Sequence, residues 1–132
     1  LEHYGNPEKI LSDVEKQIRR RILLQTKTLI LTPRYLVELS DDICAIIPLP
    51  EVLWIYDHAA MRRTIKGRQL SYTIHVVTMK GEEYTLTGKS HREVSAIYHE
   101  LNTRYPNFFF GYSKEHQEMV QYVLHEMKNE KT

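Results

Sequence analysis

Leu70-Ser71-Tyr72-Thr73-Ile74-His75-Val76-Val77-Thr78-Met79, Lys80-Gly81, Glu83-Tyr84-Thr85-Leu86-Thr87, Gly88 and Ser90-His91-Arg92-Glu93 form the stretch that decides the fold. Tyr72, Ile74 and Val76 alternate with Ser71, Thr73 and His75, the period of a strand with one face buried. Lys80-Gly81 turns the chain into a second such run, so the two read as an antiparallel hairpin. After Gly88 the period becomes helical, with Val94, Ile97, Tyr98 and Leu101 on one stripe. Ser90 and Glu93 stand at capping-box spacing, the hydroxyl and the carboxylate each satisfying a backbone N–H of the first turn. The helix is expected to lie on the sheet and to stop before Pro106.

Upstream, the texture is also β. Thr28-Leu29-Ile30-Leu31-Thr32 and Tyr35-Leu36-Val37-Glu38-Leu39 are rich in strand formers and are parted by Thr32-Pro33-Arg34. Proline cannot donate to a ladder, so the break reads as a hairpin connection. Asp41-Asp42 is the next expected turn, leading to a third strand at Ile43-Cys44-Ala45-Ile46-Ile47 and then Pro48-Leu49-Pro50. Glu51 to Tyr56 is read as a further strand from its β-branched and aromatic content. Short links without intervening helices imply antiparallel pairing throughout.

Helices flank this core. Asn6-Pro7-Glu8 is a helix start, with a cap residue and proline in the first turn. Ile10, Leu11, Val14, Ile18 and Ile22 form its stripe, and Arg19, Arg20 and Arg21 suit its negative end. At the other terminus, Phe108-Phe109-Phe110-Gly111-Tyr112 reads as an extended link. Ser113 then caps a last helix with Met119, Val120, Val123, Leu124 and Met127 on its stripe. Residues 1–132 are thus expected to be one soluble α+β domain: an N-terminal helix over 7–22, a core over 26–105, and an aromatic link with a final helix over 106–132.

The 132 residues carry a formal net charge of +1, so any electrostatic role must be local. Cys44 is the only cysteine, which excludes intrachain disulfides and cysteine-based zinc sites. It lies in an apolar strand pattern and reads as an inert thiol. The chain begins at Leu1, and a preceding membrane anchor would not be visible in it.

Ile30-Leu31-Thr32 with Tyr35-Leu36-Val37, Ile46-Ile47-Pro48-Leu49 leading into Val52-Leu53-Trp54, Val76-Val77-Thr78 with Lys80-Gly81, and Phe110-Gly111-Tyr112-Ser113 carry a resemblance. The chain resembles bacterial PH-like domains found in uncharacterised, often membrane-anchored proteins of Gram-positive bacteria. The likeness covers about 60% of the chain, Thr26 to Tyr105. It implies an antiparallel sheet bent into an open barrel, capped by the helix that follows it, with an extra helix at each end. No function comes with it. Lipid-binding PH domains cluster cations after their first strand, where this chain offers only Arg34, so phosphoinositide binding by that route is not expected.

One feature stands out chemically. Arg62-Arg63-Thr64-Ile65-Lys66-Gly67-Arg68 holds four cations and no acid, and in the fold that the resemblance implies it lies on or near a hairpin tip. Arg62, Arg63, Lys66 and Arg68 are the candidates for contact with an anionic surface, each worth on the order of 1 kcal/mol there. The bland alternative is a solvated tip that blocks edge pairing. Phe108, Phe109 and Phe110 cannot all point inward from an extended segment, which makes them candidate protein contacts or packing beneath the last helix. Trp54 reads as core.

Catalytic motifs are missing. The five glycines build no GxGxxG, GxxxxGK[ST] or GxSxG. The seven histidines show no HExxH, and they read as scattered surface residues rather than a metal centre. Glu82-Glu83 make a poor acid/base pair. The sequence therefore points to a non-catalytic module without cofactor or metal, contacting a protein or an anionic membrane surface in the cytoplasm or on the cytoplasmic face of a membrane. Nucleic acid is not an expected partner. The rival expectations are a homodimerisation domain and a small enzyme with a pocket in the barrel.

Overall fold

In the computed structural model, residues 7–39, 44–105 and 109–130 are described. Helix α1 (Pro7–Arg20) leads into strands β1 (Leu24–Gln25), β2 (Leu29–Leu31), β3 (Tyr35–Leu39) and β4 (Cys44–Pro48). A single 3-10 turn (Leu49–Glu51) links them to β5 (Val52–Thr64), β6 (Gly67–Thr78) and β7 (Glu83–Lys89). Helix α2 (His91–Arg104), β8 (Phe109–Phe110) and α3 (Lys114–Glu130) follow. The strands make two four-stranded sheets, ordered β1-β2-β3-β4 and β7-β6-β5-β8.

Local chemistry sets the turns. Thr32 Oγ1 accepts from the Tyr35 N–H at 3.0 Å, closing the turn around Pro33. Gly81 takes φ +83° and donates to Thr78 O at 2.9 Å, the turn expected at Lys80-Gly81. Ser90 Oγ accepts from the Glu93 N–H while Glu93 Oε1 accepts from the Ser90 N–H, so the capping box is complete. Ser113 Oγ likewise accepts from the His116 N–H at the start of α3.

Both sheets share one core with α2. Leu29, Leu31, Leu36 and Ile47 from the first sheet meet Ile55, Ile74, Val76 and Leu86 from the second, with Val94, Ile97 and Leu101 of α2 among them. On β6 the inward residues Ile74 and Val76, with Tyr72 packed beside them, are those the period-two pattern groups on one face. Helix α1 covers the other face of the first sheet, with Ile10 and Val14 against Ile30, Val37 and Ile46. Helix α3 covers part of the second sheet's outer face, with Val120 against Leu53, Trp54 and Val77. Trp54 is buried as expected, and its indole N–H donates to Gly111 O at 2.9 Å.

Four expectations need correction. Helix α1 ends at Arg20 rather than residue 22, because the Leu23 N–H is already bonded to Leu31 O and Ile22 is left exposed. Pairing is not wholly antiparallel: β8 joins β5 in parallel, Trp54 opposite Phe109 and Ile55 opposite Phe110. Strands β5 and β6 run well beyond Tyr56 and upstream of Leu70, to the Thr64–Gly67 pair. Met119 lies on the exposed side of α3, since Val120 is the residue that reaches Trp54. The fold is α+β, and among the described residues the sheets do not close into a barrel. The Asn6 cap and the Asp41-Asp42 turn lie outside the described residues.

Candidate functional site

The extension of β5 and β6 makes a two-stranded ribbon that no third strand joins among the described residues. Strand β7 accompanies β6 only as far as the Tyr72–Lys89 pair, and β8 touches β5 only at Trp54 and Ile55. Beyond Tyr72, five cross-strand pairs continue with no further strand beside them among the described residues: Ala60–Ser71, Met61–Leu70, Arg62–Gln69, Arg63–Arg68 and Thr64–Gly67. At ~3.3 Å per residue the ribbon projects roughly 16 Å from the sheet. The apex holds Ile65 and Lys66, and Gly67 closes the turn at φ +117°, a conformation open to glycine and strained for other residues.

The ribbon's composition does not suit water. A two-stranded hairpin alone is marginal there. Met61 and Leu70 are opposite one another and more than half exposed, and Ile65 is fully exposed. Strand alternation puts Arg63 and Arg68 on the same face as Met61 and Leu70. Directly opposed like charges destabilise a ladder by a few tenths of a kcal/mol to about 1. No acid lies between His58 and Tyr72, and none of the ion pairs among the described residues involves Arg63, Lys66 or Arg68. One face therefore combines an apolar pair, a cationic pair and an apolar tip.

Below the ribbon lies an open cleft of about 480 Å³, with Arg63 and Gln69 on one side and Lys89, Ser90 and Glu93 on the other. Its floor is a closed polar network. The Lys89 side chain has no exposed surface, and its Nζ reaches Glu38 Oε2 at 2.6 Å and Thr28 Oγ1 at 3.0 Å. Glu93 Oε2 accepts from Thr26 at 2.7 Å and from Thr28 at 3.1 Å. Burial pushes the Glu38 carboxyl above its ordinary value against the pull of Lys89. Burial acts the same way on Glu93, but the hydrogen bonds from Thr26, Ser90 and Thr28 outweigh it and hold that carboxyl below its ordinary value. With its partners all inside the protein, this network straps together the β1–β2 connection, β3, the end of β7 and the start of α2.

The sequence-derived candidates divide. Arg63, Lys66 and Arg68 are gathered at the exposed end of the ribbon, and Arg62 lies in the same strand opposite Gln69. Phe109 and Phe110 are half-buried on opposite sides of β8. Phe109 packs toward α3, and Phe110 meets Tyr98 of α2 edge-on at 6.0 Å. Phe108 and the Cys44 side chain lie outside the described residues.

The Lys89 network escaped sequence reading for a geometric reason. Tyr84 and Leu86 set the inward parity of β7, which would put residue 88 inside. The register shifts by one between Tyr72 and Ile74, and Gly88 takes φ +69°, so Lys89 turns inward instead. Its one sequence signal is a lysine placed just before a capping serine.

A family model described as Domain of unknown function (DUF6709) matches residues 10–120 of the chain. No curated protein matches it.

Proposed function

The chain belongs to the Domain of unknown function (DUF6709) family, and on that premise we propose a non-catalytic contact module that docks on an anionic membrane surface through the β5–β6 ribbon. The observation that carries this reading is the ribbon tip, where Ile65 stands fully exposed in a run of residues, 59–71, that holds four cations and no acid. Arg62, Arg63, Lys66 and Arg68 together contribute a few kcal/mol at about 1 kcal/mol each. Insertion of Ile65 among the headgroups adds roughly 2 kcal/mol. Such a contact is reversible and suits a domain held at the cytoplasmic face by another segment of its protein. No helix among the described residues is long and apolar enough to cross a membrane.

The order of the elements supports a PH-like relationship. A four-strand antiparallel meander, a three-strand one and then a capped helix packed into their common core follow the arrangement the sequence resembles. The lipid contact proposed here differs from the phosphoinositide route and uses the β5–β6 hairpin.

Co-sedimentation with phosphatidylserine-containing vesicles tests the reading. The chain is expected to pellet with them at low salt and to stay in solution with pure phosphatidylcholine. Replacing Arg62, Arg63, Lys66 and Arg68 by alanine abolishes pelleting on this account; unchanged pelleting rejects the ribbon as the contact. A ribbon-to-ribbon homodimer is the second reading, favoured by the exposed Met61–Leu70 pair. It would bring the cations of two copies together, which makes it the weaker one.

A further inference from the structure

A second feature lies on the outer face of the second sheet and runs outward from the edge of α3, which packs on Trp54. Trp54, Tyr56 and His58 of β5 share this face with His75 of β6 and Glu83 of β7, as their register and alternation require. The rings form a continuous row: Trp54 meets Tyr56 tilted at 4.3 Å, Tyr56 stacks on His75 at 4.6 Å, and His75 stacks on His58 at 4.9 Å. His75 Nε2 and His58 Nδ1 stand 3.1 Å apart. Seventeen residues of sequence separate the two, but the antiparallel register makes them diagonal neighbours.

We propose that His58 and His75 form a two-imidazole site for a divalent transition metal, with Zn²⁺ as its simplest occupant. Two nitrogens bound to one zinc at about 2.0–2.1 Å in tetrahedral geometry sit roughly 3.3 Å apart. The observed separation needs only a few tenths of an ångström of adjustment. Imidazole nitrogen is a ligand of choice for zinc, copper and nickel. The stack on Tyr56, nearly parallel at 13°, holds the His75 ring in place from its other side.

Protonation agrees with this geometry. Burial, then the neighbouring His58, lowers the His75 imidazole below its ordinary value, and Glu83 opposes them in part. A neutral ring has a lone pair to give. The proton now shared by the two facing nitrogens moves to the other nitrogen of its own ring, so binding to the neutral pair releases no net proton. The chain supplies two ligands: among the described residues no three histidine, cysteine or acidic side chains converge on one point. The remaining positions face solvent beside the exposed His58 and are filled by water or by a donor from a partner.

Calorimetry and imidazole NMR during titration with Zn²⁺ alone test the site. One ion per chain is expected, perturbing His58 and His75 and leaving His91, His99, His116 and His125 in place. Loss of an outer-sphere partner alone weakens metal sites about ten- to a hundred-fold, so His58→Ala and His75→Ala should each weaken binding at least about tenfold. Unchanged thermal unfolding of the metal-free variants shows that the fold is kept. Undiminished affinity in either variant, equal perturbation of the other histidines, or no saturable binding overturns the proposal.

Discussion

Lys89 Nζ, on a side chain with no exposed surface, lies 2.6 Å from Glu38 Oε2, on a side chain 19% exposed, so a largely buried charge pair ties the end of β7 to β3. Removing one partner of such a pair strands the other charge and costs about 3–5 kcal/mol. Lys89→Ala is therefore expected to destabilise the domain by that amount in urea unfolding. The double replacement Lys89→Met with Glu38→Leu should recover most of the loss, because it removes the charges as well as the pairing.

The two carboxyls of this strap predict opposite pH behaviour. Glu93 is held below its ordinary value in the folded protein. Its contribution is full above the unfolded value and lost as pH falls through the depressed folded one. Glu38 is raised, so its contribution is present at low pH and lost as pH rises through the folded value. Urea midpoints measured across the carboxylate range should fall less steeply with acid in Glu93→Gln than in the parent. Glu38→Gln should fall more steeply.

Two isoleucines separate stability from contact. Ile97 is fully buried in the core shared by α2 and both sheets, whereas Ile65 is fully exposed. Ile97→Ala should cost about 2–5 kcal/mol of folding stability. Ile65→Ala should change stability by no more than about 0.5 kcal/mol. Vesicle binding should respond in the other sense, weakening in Ile65→Ala and remaining in the folded fraction of Ile97→Ala.

Salt provides a further check. Exposed charges are screened over about 10 Å at 0.1 M ionic strength and about 3 Å at 1 M. Binding to anionic vesicles should therefore fall steadily as salt rises. The alanine variant of the four cations should show a flat, weak profile at every salt concentration.

The sequence makes some of this structure legible and hides the rest. Alternation in 70–87 and the Ser90–Glu93 spacing suffice for the β6–β7 hairpin and the helix packed against it, because each signal is local and strong. Arg62 to Arg68 announce a basic segment by composition, and the expected order of strands places it on or near a hairpin tip. How far the ribbon projects is not legible, since strand length here depends on where β7 and β8 stop pairing. Lys89 turning inward depends on a one-residue register shift, and the meeting of His58 with His75 depends on a register that alternation alone does not assign. Two consecutive phenylalanines, Phe109 and Phe110, are accommodated by a short parallel strand with a helix on each side. Local sequence does not encode that long-range pairing.

The most direct test of the ribbon's role places a nitroxide probe at its apex, through Ile65→Cys in a Cys44→Ser background, and measures the probe's accessibility to oxygen and to a water-soluble relaxant. With phosphatidylserine-containing vesicles the account predicts rising oxygen accessibility and protection from the polar relaxant, neither of which appears when the four cations are replaced. A probe that stays as water-exposed on those vesicles as it is in buffer, while the protein itself is bound, would contradict it.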